Sequence, residues 1–288
     1  MEPFAPLVVG VAAYKGGTGK TTVAFNVGME FARPRGYGGV PACPTVFIDF
    51  DPQGHRRSGG VTLKMLFEEG PFRLRHVGVV EGFEVHRVEL EPDGFEDLLD
   101  ERAPGLGTAL LAVPARQNYQ RVADRRHIRR LVAWVHDLVR EGDGDARPPI
   151  AFVDTPPMNV EAKWLRRVLQ ACDTVIPVTD PRSVRQVRRF LSDGGLDVRV
   201  VVLNKVWPRG TCEWKKLVER LNRVLRDVHG SVDVVDVENA PVIQSATDAG
   251  IPLRMRRSRR PEYEGRFRDV ARLVYLAWQA RDHVRGGR

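Results

Sequence analysis

Eight consecutive residues, Lys15-Gly16-Gly17-Thr18-Gly19-Lys20-Thr21-Thr22, constrain this chain more than any other feature. An apolar run, Leu7 to Ala13, precedes them and reads as a strand buried on both faces. A polyphosphate needs several backbone N–H donors converging on it, and side chains obstruct that approach. Gly16, Gly17 and Gly19 remove the obstruction. Thr21 to Phe31 follows. Its apolar spacing fits a strand or a helix, and the glycine loop before it decides for a helix. The start of such a helix aims its positive end at an anion. Lys20 is placed to reach the β- and γ-phosphates of a nucleotide, and the Thr21 hydroxyl to ligate Mg²⁺. The general loop pattern begins with Gly, and Tyr14 stands there instead. A kinase-type glycine loop fits less well, because it lacks the Gly-Lys-Thr that opens a helix.

The rest of the chain alternates short apolar runs with helical periods. Strands are expected at Thr45 to Phe50, Thr108 to Val113, Ile150 to Val153, Thr174 to Val178, Val198 to Leu203 and Val232 to Val237. Helices are expected at Tyr119 to Arg140, Val160 to Leu169, Ser183 to Leu191, Glu213 to Val228 and Glu262 to Arg281. Residues 54 to about 105 are the least legible, with Phe72 to Val80 and Phe83 to Leu90 as an inserted hairpin. Strand–helix alternation means crossover units and a parallel sheet. The expected fold is therefore α/β: one P-loop NTPase domain over residues 1–288, a mostly parallel twisted sheet with helices on both faces. Ligands of such sheets sit beyond the carboxyl ends of the strands, and acids end several of them: Asp49 with Asp51, Asp154 and Asp180.

The Lys15 to Thr22 segment resembles the deviant Walker A motif of the ParA/MinD ATPases, closest to the ParA-like partition members. The resemblance implies ATP and Mg²⁺ as ligands, with Lys15, Gly16, Gly17, Thr18, Gly19, Lys20, Thr21 and Thr22 binding the nucleotide. It gives Lys15, the signature lysine, a reach across a nucleotide-sandwich homodimer to the partner's phosphates. Asp49-Phe50-Asp51-Pro52-Gln53-Gly54 resembles the family's switch I. That likeness implies that Asp51 positions the attacking water and Asp49 helps to hold the magnesium shell. Ile150 to Pro157 resembles switch II, with Asp154 as the Walker B acid beside the metal. By the same resemblance Asn204 contacts adenine, and Pro241 to Pro252, with Gln244, Asp248 and Gly250, lies beside the base. The likeness covers residues 7 to 54, 108 to 205 and 232 to 280; residues 55 to 107 and 254 to 260 match poorly.

Composition narrows the cargo. Cys43, Cys172 and Cys212 are isolated, so neither a disulfide framework nor the paired cysteines of a cluster carrier is present. No apolar run approaches a membrane span, and Met1 to Pro6 has no secretory pattern, so a cytoplasmic protein is expected. The net charge is +8 and the pI about 9.7, with 38 arginines against 7 lysines, which favours a polyanionic partner. Arg182, Arg185, Arg188 and Arg189 form one basic stretch; Lys215, Lys216, Arg220, Arg223 and Arg226 form another; Arg254 to Arg260 form a third. The expectation is an ATP-switched, nucleoid-associated dimer that binds DNA non-specifically and positions plasmid or chromosome cargo with a centromere-binding adaptor. The alternative is a MinD-like membrane protein, using Phe267, Val270, Leu273, Val274, Ala277 and Trp278. For that stripe, packing on the sheet is the preferred reading. A P-loop protein that phosphorylates another target is the third reading.

Overall fold

Near-continuous apolar runs bounded by polar loops can be buried only inside a sheet covered on both sides, and the inner strands behave so. The computed structural model describes residues 5–51, 61–100, 105–115, 119–142, 147–158, 163–193, 195–208, 210–225, 232–257 and 261–286. Among these, nine strands form one sheet: β1 (Leu7–Ala12), β2 (Thr45–Asp49), β3 (Phe72–Val80), β4 (Phe83–Leu90), β5 (Ala109–Pro114), β6 (Ile150–Asp154), β7 (Thr174–Thr179), β8 (Val200–Val206) and β9 (Asp233–Glu238). Their order is β3-β4-β5-β2-β6-β1-β7-β8-β9. From β5 to β9 all neighbours are parallel. β3 and β4, from within the poorly matched stretch, extend the β5 edge as an antiparallel hairpin of the same sheet.

Residues alternate between the two faces. Leu7, Val9, Val11, Phe47 and Phe152 join one core with α1 (Lys20–Phe31), α2 (Leu63–Glu69), α8 (Pro241–Asp248) and α9 (Pro261–Gly286). Val8, Val46, Ile48, Ala151 and Val153 face the other way, against α4 (Arg125–Gly142) and α5 (Lys163–Ala171). α6 (Val187–Leu191) and α7 (Cys212–Leu225) continue that second layer over β7 and β8.

Several boundaries differ from the sequence expectation. Tyr119 to Arg140 is two helices, α3 (Tyr119–Val122) and α4, because the Asp124 carboxylate accepts the His127 N–H at 3.0 Å and caps a new start. Ser183 to Leu191 opens as a 3₁₀ turn, Val184–Gln186, before α6. α2 had no visible period; the Thr62 hydroxyl caps it by accepting the Met65 N–H. In α9, Phe267, Val270, Val274 and Trp278 are buried, and the Trp278 indole donates to the Ala5 carbonyl at 3.0 Å. The stripe a membrane reading would use is therefore packed against the domain. Among the described residues no helix is long and apolar enough to cross a membrane.

Candidate nucleotide-binding site

β1 lies between β6 and β7, so the loop leaving it stands above the carboxyl end of β6. Register puts Val11 opposite Asp154 and, on the other side of β6, Asp49 opposite Asp154. Two carboxylates thus arrive side by side beneath the loop. Gly19 caps α1 in the left-handed region (φ 89°), and Gly17 is also left-handed (φ 73°). An L side chain is strained there, which is why glycine occupies both.

The loop borders a cavity of about 350 Å³ whose walls include Gly16, Gly17, Gly19, Lys20, Thr21, Thr22, Asp51 and Asn204. Lys20 is buried. The Thr21 hydroxyl donates to Asp154 Oδ2 at 2.6 Å, while Asp154 Oδ1 is buried without a hydrogen-bond partner. Burial pushes the Asp154 carboxyl up to about 8; Lys20 opposes the rise and Asp49 adds to it. Asp49 is driven up to about 6, again by burial, against hydrogen bonds from the Lys64 and Asp51 amides. Buried acids this costly to ionise call for a cation. The orphaned Asp154 oxygen beside a threonine hydroxyl suits Mg²⁺, which takes one or two carboxylates and completes its shell with waters and phosphate oxygens.

Asp49 and Asp51 are placed differently. Asp49 Oδ1 accepts the Asp51 N–H at 3.0 Å and Oδ2 the Lys64 N–H at 2.9 Å, so this acid pins both ends of the segment running from β2 to α2. Asp51 lines the cavity. The rest of the segment that resembles switch I, Pro52 to Gly54, lies outside the described residues.

Asn204 donates from Nδ2 to the Thr18 carbonyl at 2.7 Å and fills the space where a Gly19 Cβ would stand. It buttresses the loop as well as lining the cavity. Lys205, unremarked in the sequence beyond its place after Asn204, donates from Nζ to the Gly17 carbonyl at 2.8 Å. Its one sequence clue is rarity: lysine is scarce in this chain, and this one ends an apolar strand. Farther along the wall stand Glu238, Asn239, Ile243, Gln244 and Thr247. Gln244 also donates to Asp248 at 2.7 Å. Gly250 lies elsewhere, against Leu66 and Gly70 at the end of α2.

Lys15 does not face this cavity. It lines a neighbouring one of about 410 Å³, with Asp180, Arg182 and Trp207, and its ammonium stands 3.6 Å from Asp180 Oδ2. Asp180 Oδ1 accepts the Arg182 and Ser183 amides. Burial alone would raise Asp180; Ser183 and Lys15 outweigh it and hold the carboxyl below its usual range. Tyr14 packs on Phe190 with ring centroids 4.7 Å apart, and the Arg189 guanidinium lies 5.3 Å over the tyrosine ring. Two residues at the mouth of the loop thus touch both ends of the 180–190 segment.

The basic stretches separate by position. Arg182, Arg185, Arg188 and Arg189 are exposed, as are Lys215, Lys216, Arg220 and Arg223 on α7. Val184 of the 3₁₀ turn shares a core with Leu217 and Leu221 of α7, and Arg220 donates to the Pro181 carbonyl. The two stretches therefore adjoin. The third belongs elsewhere. Arg254 is buried and donates to the Ala32 and Gly105 carbonyls, and burial pulls its guanidinium down to about 10. Arg256 donates to Val242 and Ser245. Arg226, Arg259 and Arg260 lie outside the described residues.

Neither a protein-family model nor a curated relative matches the chain. Solved structures do. Apo McdA from Cyanothece is 14% identical with a TM-score of 0.57, covering 93% of this chain and 99% of that one. A Cyanothece McdA variant complexed with ATP is 13% identical with a TM-score of 0.54, over 95% and 97% of the two chains. The pNOB8 ParA bound to nonspecific DNA is 13% identical with a TM-score of 0.51, over 94% and 99%. At these identities the likeness establishes a shared fold, the α/β fold of these proteins across nearly their whole length.

Proposed function

We propose that this protein is a Mg²⁺-dependent ATPase that works as an ATP-switched homodimer, binds DNA non-specifically and positions plasmid or chromosome cargo at the nucleoid. A centromere-binding adaptor would supply the link to the cargo. The observation that carries the reading is a continuity of contacts. The loop that borders the cavity is joined through Tyr14 and Lys15 to Asp180, Arg189 and Phe190, at the two ends of an arginine-rich surface.

The residues divide into roles. The glycine loop cradles the triphosphate, and buried Lys20 compensates its charge in a low-dielectric site. Thr21 and Asp154 would hold the magnesium ion, which spreads the charge that builds on the phosphates. Asp51, on the cavity wall, orients the attacking water, since phosphoryl transfer needs alignment more than a strong base. Lys15 exchanges Asp180 for the phosphates of the partner's nucleotide. Losing that pair loosens one anchor of the 180–190 segment, and two copies together present their arginines to DNA phosphates. The fold shared with an ATP-bound McdA and a DNA-bound ParA supports this reading. The buried stripe of α9 argues against the membrane alternative.

DNA retention measured with ATP, ADP and no nucleotide tests the proposal. Retention should require ATP, fall steeply with salt and vanish in Lys20→Ala. Equal retention with ADP and ATP rejects the switch. Release of free phosphate, rather than labelled protein, separates this reading from a protein kinase.

A further inference from the structure

Taking the cavity as a nucleotide site, we infer that Lys205 is a positioning residue for it: together with Asn204 it turns two successive peptide groups of the loop so that their amides face the phosphates. In a trans peptide the carbonyl and the following N–H point in opposite directions. The Gly17 carbonyl is held by Lys205 Nζ at 2.8 Å and the Thr18 carbonyl by Asn204 Nδ2 at 2.7 Å. Both holding groups come from the end of β8. The N–H groups of Thr18 and Gly19 are thereby directed away from β8, in the sense a cradled anion requires.

Two neighbouring residues of a regular strand cannot serve one loop, because their side chains leave from opposite faces. The structure breaks the alternation at this point. Lys205 has φ 59°, and Glu81, in the hairpin turn, is the other non-glycine at positive φ among the described residues. The β8–β9 register also shifts between Asn204 and Val206. A left-handed lysine at a bulge is a costly local conformation, and such strain persists where surrounding contacts hold it. The ammonium on Gly17 is the contact it secures. Lys205 borders both cavities, so its stem forms part of the wall between them.

The test uses two variants of the full chain. Lys205→Met keeps the stem and removes the ammonium. Lys205→Gly removes the side chain and relieves the positive φ. Calorimetry with Mg-ADP and Mg-ATP, apo melting temperature and steady-state turnover are the readouts. Both variants should bind both nucleotides about tenfold more weakly, the lower end for a charge-assisted bond, because loop amides contact phosphates in either ligand. Turnover at saturating ATP should stay within about twofold, a change in KM without kcat, as expected for uniform binding. The glycine variant should melt no lower than wild type, which separates loop positioning from general destabilisation. Wild-type affinity in both variants overturns the assignment and leaves the nucleotide reading standing. A wild-type protein that binds neither nucleotide overturns both.

Discussion

Gly19→Ala puts the buttressing of the phosphate loop to a quantitative test. Two costs add at this position. Alanine at φ 89° is strained by about 1–2 kcal/mol. Its Cβ would also stand 2.1 Å from Asn204 Nδ2, so the amide must swing aside. That breaks the 2.7 Å bond to the Thr18 carbonyl. Losing such a bond and leaving a buried carbonyl unpaired costs about 1–3 kcal/mol. Restricting the unfolded chain returns about 0.4–1 kcal/mol. The net expectation is about 2–4 kcal/mol. Gly17→Ala is the control: φ is 73°, but nothing lies within 4 Å of the added carbon, so only strain remains, about 1 kcal/mol after the same offset. Urea unfolding of the apo protein measures both. The decisive step is a double-mutant cycle with Asn204→Ala, in which clash and bond vanish together. Gly19→Ala should then cost only the strain, leaving a coupling of about 1–3 kcal/mol. Equal costs in the two backgrounds would show that Asn204 does not brace the loop.

Four further outcomes are expected. Asp173 accepts hydrogen bonds from Arg129 and from the Val8 amide and pairs with Arg281; these outweigh its burial and hold its carboxyl below the usual range. Asp173→Asn should cost about 2–3 kcal/mol at pH 7, toward the low end for a broken buried pair because both arginines are 29% exposed. A depressed folded pKa contributes above the unfolded value and is lost as pH falls through the folded one, so the two proteins should converge below about pH 4. Thiol labelling of the folded chain should modify exposed Cys212 quickly and spare Cys43, whose thiol burial pushes up to about 12; fast modification of Cys43 would refute its burial. Asp180→Asn should leave the melting temperature nearly unchanged, since the Lys15 pair is half exposed and worth at most about 0.5 kcal/mol, yet ATP-driven pairing followed by light scattering should tighten about twofold. Weaker pairing would reject Asp180 as a competitor for Lys15. ATP-dependent DNA binding should show a log–log salt slope of about −4 to −8, and charge reversal of Arg185 with Arg223, two residues in each of two subunits, should shrink its magnitude by roughly 4; an unchanged slope would move the DNA surface elsewhere.

What could be read along the chain was what lies close together along the chain. The loop from Lys15 to Thr22, the acids at strand ends and the strand–helix alternation are local patterns. Each repeats a physical requirement within a few residues: bare amides for phosphate, an apolar run for a buried strand, a period for a helix face. The edge hairpin was legible as two strands, though not its attachment to β5. Contacts between distant segments were out of reach. Asn204 and Lys205 meet Thr18 and Gly17 across 186 and 188 residues, and only the assembled sheet, with β8 two strands from β1, brings them there. Arg254 looked like one more surface arginine. Its burial follows from packing against the Ala32 and Gly105 carbonyls, and composition says nothing of that. Lys15 beside Asp180, and Tyr14 beneath Arg189, were likewise settled by how β1 and β7 lie together. Side-chain chemistry is written residue by residue, whereas which groups share a low-dielectric space is a property of the folded packing.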